Sequence, residues 1–251
     1  MTPQGRHTID LNCDLGEGGG HDAALMPLVS SVNIACGGHA GDADSMARAV
    51  SLARQHGVAI GAHPSHLDRE HFGRRELPIT PAGLEALLIG QVAALVAALG
   101  EPPHHVKLHG GLYHQVGRDR DLAAAFVAAI EGRFPAAVIV AAAGSRLVDV
   151  ARERGQPVAI EAFLDRAYRP DGGLVPRGEP GAVIADAGQV AARAVRLARD
   201  GVVEASDGTV LELWPDTLCL HGDGPDPVGC ARAVQEALIA AGVGIRVMQG
   251  R

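Results

Sequence analysis

Aromatic residues make up only 3% of the 251-residue chain, with a single tryptophan. A stacking platform for single-stranded nucleic acid needs more rings than this. Positive charge is also short: 22 Lys and Arg stand against 29 Asp and Glu, a net charge of −7 with histidine neutral. The arginines are scattered rather than striped, so nucleic acid and anionic membrane surfaces are poor partners. Cys13, Cys36, Cys219 and Cys230 are widely spaced, with no CxxC pair to hold zinc and no disulfide framework. No apolar run reaches membrane-spanning length; the longest, 84–99, is interrupted by Glu85 and Gln91. The opening stretch MTPQGRHTIDLNCD lacks the basic-then-apolar pattern of a leader. Together these absences point to a cytoplasmic protein with neither nucleic acid nor membrane as a partner. Familiar motifs are missing too. There is no GxxxxGK[ST] phosphate loop, no GxGxxG after a strand and no GxSxG elbow. The run 16-GEGGG-20 lacks the lysine and the helix onset that a phosphate loop needs.

What is present is apolar: 47% of the residues are hydrophobic, enough for one sizeable core, read as one domain over 1–251. Short apolar runs alternate with helical patterns. The strands are expected at 8–14, 31–37, 58–64, 105–111, 136–144, 157–165 and 216–223. Most are continuous apolar runs, as in parallel strands covered on both faces. Helices are expected over 45–56, from Pro81, and over about 119–131, 145–154, 186–199 and 226–241. A hairpin near 202–213, turning at 206-SDGT-209, interrupts the alternation. The Gly- and Pro-rich segment 169–182 carries charge and reads as an ordered functional loop. A β/α barrel and an open doubly wound sheet both fit this order, and both place a site at the carboxyl ends of the strands.

Those ends are unusually polar. They deliver Asn12, Asp14 and Glu17; His39 and Asp42; His63; Lys107 and His109; Glu161, Asp165 and Arg166; and His221 and Asp223. A lone histidine at a strand end is more often an ordinary polar residue than a ligand, and Asp42 reads equally as a helix cap. Six of seven strands ending this way argue for a shared active site. His7, His21, His104 and His105 read as solvated, and His56 as a helix C-terminal residue. Histidines with carboxylates and no thiolates suit a divalent ion of zinc or manganese type, with Asp14, His39, His63 and His109 as ligands. A metal-free reading stays open, in which Lys107 and Arg166 hold an anionic substrate and the acids and histidines move protons.

The segments 10-DLNCDLGEG-18, 33-NIACGGHAGD-42, 61-GAHPS-65, 72-FGRR-75, 107-KLHGGLY-113, 161-EAFLDRAY-168, 174-LVPRGEPGAVI-184 and 219-CLHGDGP-225 resemble the LamB/YcsF family, the A subunit of 5-oxoprolinase, in order along nearly the whole chain. The resemblance implies a seven-stranded β/α barrel of the glycoside hydrolase/deacetylase type. It implies ATP-dependent opening of 5-oxoproline, or a related small lactam, to L-glutamate, with Mg2+ accompanying ATP. Two partner subunits, B and C, are implied as well. Catalytic roles then fall to Asp14, Lys107, His109, Glu161, Asp165, Arg166, His221 and Asp223. Asn12, Glu17, Asn33, Asp42 and Arg177 are expected to bind substrate, Arg177 by closing over it from the Gly/Pro loop. The chain departs from the family pattern at Gly38, Gly90, Leu108, Gly111, His114, the glycines after Glu17, and 65-SHLD-68. The polar framework is kept while pocket aromatics are lost. Two rival readings are a metal-dependent, ATP-independent amidase or deacetylase, and a non-catalytic substrate-binding subunit.

Overall fold

The computed structural model describes residues 7–250; the first six residues, which open the MTPQGRHTIDLNCD stretch, lie outside the described residues. Strand β1 (Thr8–Leu15) leads through a short helix α1 (Asp22–Leu25) to β2 (Ser31–Ala35), α2 (Ala43–His56) and β3 (Ala59–His63). Then follow α3 (Pro81–Leu99), β4 (His105–Lys107), α4 (Gly110–Arg118), α5 (Arg120–Arg133), β5 (Val138–Ala142), α6 (Arg146–Arg154) and β6 (Val158–Phe163). The rest is α7 (Ala187–Asp200), the hairpin β7 (Val202–Glu204) and β8 (Val210–Glu212), β9 (Thr217–His221), α8 (Pro227–Ala240) and β10 (Gly244–Ile245). Strands β1 to β6 and β9 pair in parallel, and β1–β9 pairing closes the ring (Asp10 opposite Thr217, Asp14 opposite His221). Closure excludes the open doubly wound sheet. The pair β7–β8 is antiparallel, as the SDGT turn requires, and β10 adds beside β1 outside the ring.

Helix ends follow local chemistry. Asp42 caps α2 in a reciprocal box with Ser45, and Gly57 ends it in the left-handed region at φ 66°. By length and composition alone, α3 is apolar enough to cross a membrane, contrary to the expectation that Glu85 and Gln91 would break it up. Its Leu84, Leu88, Val92, Leu95 and Leu99 are nevertheless buried in the core. Its buried Gln91 bonds both backbone groups of Ser65, at 3.0 Å and 2.6 Å, which fixes the loop after β3.

Two expectations need correction. The fourth strand stops at Lys107 instead of running to 111, because Gly110 takes φ 54° and Gly110–Arg118 is a helix. The strands are also not apolar on both faces. In β1, Leu11, Cys13 and Leu15 face the helices, while Asp10, Asn12 and Asp14 bond other strands across the barrel interior. Asp10 accepts from Ser30, Ser31 and Thr217 near the amino ends of the strands. Above it Asn12 donates to Glu161 and Thr217, and Asn33 donates to Asn12 and Asp14. His105 is fully buried rather than solvated; its Nε2 lies 2.9 Å from the Asn33 amide oxygen, and Nδ1 lies 3.2 Å from half-buried His104. Gly61 makes that possible, since a Cβ there would lie 2.1 Å from the His105 ring. The interior is thus a hydrogen-bonded ladder, in which each buried polar group needs its partner.

Candidate active site at the barrel mouth

The ladder ends in a buried cation. The Lys107 ammonium lies 2.9 Å from Asp14 and 2.8 Å from Glu161, with Cys219 Sγ at 3.1 Å and the Asn12 oxygen at 3.3 Å. Its hydrogens are all engaged, so Lys107 has none free for an anionic substrate. Burial opposes its charge, but Asp14 and then the other neighbours outweigh this and raise the pKa well above the usual lysine range. Asp14 shows the converse: burial pushes it up, and His63, in its protonated form, and Lys107 bring it well below the carboxylate range. Asp14 is therefore an anion at neutral pH.

Beside Asp14, four side chains converge. One donor atom each from Glu17, His39, His63 and His109 lie within 4.8 Å of one another. Gly16, at φ 74°, turns the chain that presents Glu17. The histidine tautomers follow from the outer nitrogens. His63 Nδ1 donates to the Lys107 carbonyl at 2.8 Å, and His109 Nε2 to the Phe72 carbonyl at 2.8 Å. Ser65 spends its own hydrogen on the His66 carbonyl, so its hydroxyl accepts from His39 Nδ1 at 2.9 Å. All three inner nitrogens are then bare lone pairs. His63 Nε2 and His109 Nδ1 face each other at 3.0 Å, and His39 Nε2 lies 2.9 Å from Glu17 Oε1. Acceptors held this close require a cation between them, either a proton or a metal ion. Burial pushes His39 down to about 4 and, with His63 and His39, His109 well below the histidine range; burial and then Asp14 raise Glu17 to about 7. In a metal-free site, a proton on Glu17 serves His39.

The frame around these histidines is built for close approach. Phe72 adopts φ 55°, rare for a residue with a side chain, and that turn aims its carbonyl at His109. The His39 and His109 rings stack at 3.7 Å, with Phe72 edge-on to both. Gly38 is required locally: a Cβ would lie 2.4 Å from the Ser65 hydroxyl that orients His39.

A second group, Asp14, Cys219 and His221, also clusters, but the Lys107 ammonium already supplies its cation. His221 belongs to a dyad, with Nδ1 at 2.9 Å and 3.0 Å from the two Asp165 oxygens. Burial lowers the His221 pKa, yet Asp165 outweighs it and the net shift is upward. His221 therefore carries a proton more readily than a free histidine.

These groups floor and wall a cavity of about 650 Å³. It brings together Asp14, Glu17, His63, Lys107, His109, Arg166, Arg177, His221 and Asp223. His39 stands behind His109, and Asn12, Asn33 and Glu161 lie deeper in the barrel. Asp42 is not brought in: it is an exposed helix cap. Arg166 is 6% exposed and donates to the Val175 and Ala182 carbonyls, which staples the Gly/Pro loop over the mouth. Asp223 is shared by Arg74, from the loop after β3, and Arg177, from the loop after β6. Both its oxygens are thereby engaged. Sequence reasoning gives Glu17 to substrate and Asp14 to the metal set, whereas Glu17 sits among the histidines and Asp14 pairs with Lys107. It passes over Phe72 and Tyr113. Tyr113 lies one helical turn beyond His109, on a helix whose first two residues read as the end of the fourth strand.

Fold and site together define a seven-stranded parallel β/α barrel whose mouth holds a histidine–carboxylate cluster suited to a cation. The LamB/YcsF family model matches residues 9–251, and the chain belongs to that family. It is 47% identical over 246 residues to the A subunit of 5-oxoprolinase from Heliobacterium modesticaldum, covering 95% of this chain and 97% of that one. The crystal structure of a lactam utilization protein from Thermus thermophilus superposes with a TM-score of 0.88 at 44% identity, covering 95% and 99% of the two chains. The fold alone is shared with a family 4 acetyl xylan esterase from Clostridium thermocellum, in complex with a cobalt ion, at a TM-score of 0.53, 14% identity, and 95% and 86% coverage.

Proposed function

We propose that this chain is the cytoplasmic A subunit of a 5-oxoprolinase, acting as one catalytic domain that opens 5-oxoproline to L-glutamate together with subunits B and C and at the expense of ATP. The observation that carries the reading is the set of three bare histidine nitrogens and the Glu17 oxygen within 4.8 Å, at a mouth-facing cavity. The names of the relatives, the A subunit of 5-oxoprolinase and a lactam utilization protein, supply the substrate class. Glu17, His39, His63 and His109 fit a divalent cation of zinc or manganese type, because the outer N–H groups of the histidines are already fixed by protein acceptors. When bound, such an ion supplies Lewis acidity toward a carbonyl.

The chain's own residues handle the protons. A lactam is a stable amide, and coupling to ATP makes its oxygen a leaving group; that coupling is assigned to the complex with subunits B and C. Asp14, ionised beside Lys107, takes a proton from the attacking water. His221, protonated through Asp165, gives a proton to the ring nitrogen as the C–N bond breaks, since an amine of high basicity leaves poorly without one. Lys107 positions Asp14 and Glu161 and keeps Asp14 charged. Arg166 and Arg177 line the cavity and supply positive charge for a substrate carboxylate or phosphate.

Turnover of 5-oxoproline by the chain alone and with subunits B and C, with and without ATP, tests the reading. Activity is expected only from the full set with ATP. It should fall on exhaustive chelation and return with zinc or manganese. ATP-independent hydrolysis of small amides by the chain alone would replace this reading with that of a metal-dependent amidase. Unchanged turnover in complexes carrying Asp14→Ala or His109→Ala would leave the chain with a binding role only.

A further inference from the structure

Two buried side-chain atoms among the described residues make no hydrogen bond of normal geometry, the Tyr113 hydroxyl and Glu161 Oε2, although the two groups face each other closely enough to interact. Tyr113 is 7% exposed and Glu161 1%. Native folds rarely leave such groups bare without a use for them. Glu161 commits its other oxygen to Lys107 at 2.8 Å and Asn12 at 3.2 Å. Tyr168, by contrast, uses its hydroxyl to accept from the Phe163 amide at 2.8 Å.

Tyr113 and Glu161 both line a side chamber of about 60 Å³, which shares Tyr113, Phe163 and Leu174 with the main cavity. Its remaining wall is largely apolar, with Ala142 and Leu213. An apolar recess with two polar atoms at its base is the ordinary form of a small-ligand subsite. The volume admits one edge of a small ring, or a few waters in its place. Gly172, at φ 84°, Gly173 and Leu174 form one side of the chamber.

We propose that Tyr113 and Glu161 form the subsite that selects a lactam, by reading the N–H and C=O edge of its amide. Ring closure forces that amide cis, so its donor and acceptor lie side by side. An open-chain secondary amide is overwhelmingly trans and presents them on opposite edges. Glu161, its other oxygen held by the Lys107 ammonium, offers Oε2 as an acceptor, which suits the lactam N–H, and Tyr113 donates, which suits the carbonyl. Tyr113 stays a donor because burial, and then the Glu161 charge, hold its phenol protonated. An open-chain amide can satisfy one of the two atoms but not both. The inference rests on the lactam reading of the preceding section.

The test is calorimetric binding of 5-oxoproline, its N-methyl derivative and open-chain N-acetylglycine to the purified full chain, as wild type and as Tyr113→Phe. Wild type should bind 5-oxoproline about tenfold or more tighter than either analogue, the scale of one lost hydrogen bond with its partner left bare. Tyr113→Phe should weaken 5-oxoproline binding by about tenfold while moving the thermal midpoint little, since its hydroxyl makes no hydrogen bond of normal geometry in the free chain. A merely structural tyrosine would lower the midpoint instead. Equal wild-type affinity for all three ligands, wild-type affinity in Tyr113→Phe, or no binding of 5-oxoproline would each overturn the subsite. The N-methyl comparison needs no variant and so survives a folding defect. Failure of the reconstituted complex to turn over 5-oxoproline is a separate result and overturns the function proposed above.

Discussion

Replacing Lys107 by methionine removes one positive charge from the centre of the barrel and keeps its length. Its ammonium lies 2.9 Å from Asp14 and 2.8 Å from Glu161, and all three side chains are at most 3% exposed. The variant leaves two buried carboxylates facing a methyl group, with Asn33 at 2.8 Å and His63 at 3.4 Å as the neighbours left to Asp14. Breaking a buried pair from one side costs about 3–5 kcal/mol, because the orphaned charge cannot be solvated. For a domain of this size each kcal/mol moves the midpoint by roughly 2–4 °C, so a fall of about 6–20 °C is expected at pH 7. Acid should shrink the difference. The folded-state pKa of Asp14 is depressed, so its stabilisation is present above the unfolded value near 3.8 and is lost only as pH falls through the lower folded value. Without Lys107 part of that stabilisation is already gone, the part from His63 remaining, and wild type and variant draw together as pH falls below the carboxylate range. The double variant Lys107→Met/Glu161→Gln should recover part of the loss by removing one orphan. Scanning calorimetry from pH 3 to pH 8 reads all three effects. A midpoint within about 2 °C of wild type at pH 7 would refute the buried-cation argument.

Three further outcomes follow from the same geometry. Asp42→Ala should cost about 1 kcal/mol of stability through loss of the α2 cap and leave turnover unchanged, so a raised KM would return Asp42 to the substrate site. Gly61→Ala places a methyl 2.1 Å from the His105 ring and should abolish soluble expression or lower the midpoint by more than any surface variant; a normal melting curve would contradict the packed interior. The His221–Asp165 pair is fully formed between the unfolded values of about 3.8 and 6.5, because Asp165 is depressed and His221 raised. Its contribution should fade as pH rises through the folded value of His221, above 6.5, and Asp165→Asn should flatten that alkaline loss in a stability profile.

The polar cluster at the mouth was legible because six of the seven strands carry polar residues at the carboxyl end, and chain order alone exposes that repetition. Closure was not, since it depends on β1 meeting β9 across some two hundred residues of chain, and local periodicity is silent about such a pairing. The polar interior was visible in TIDLNCDL, where Asp10, Asn12 and Asp14 alternate with Ile9, Leu11 and Cys13. Reading such strands as apolar on both sides hid it, and with it the burial of His105. Glu17 escaped the ligand set because it lies past the strand, and only the left-handed turn at Gly16 returns it to the histidines. Tyr113 escaped because Gly110 converts an apparent strand into the start of a helix.

Asp223 has a consequence for traffic through the mouth. One carboxylate, 28% exposed, clasps Arg74 and Arg177 from two different loops, and neither arginine has another ion pair among the described residues. Ions in solution compete for such a clasp, and at 1 M salt their screening length shrinks to about 3 Å. Ionic strength then becomes a latch on the entrance, loosening it from outside while the charges sealed in the barrel stay untouched.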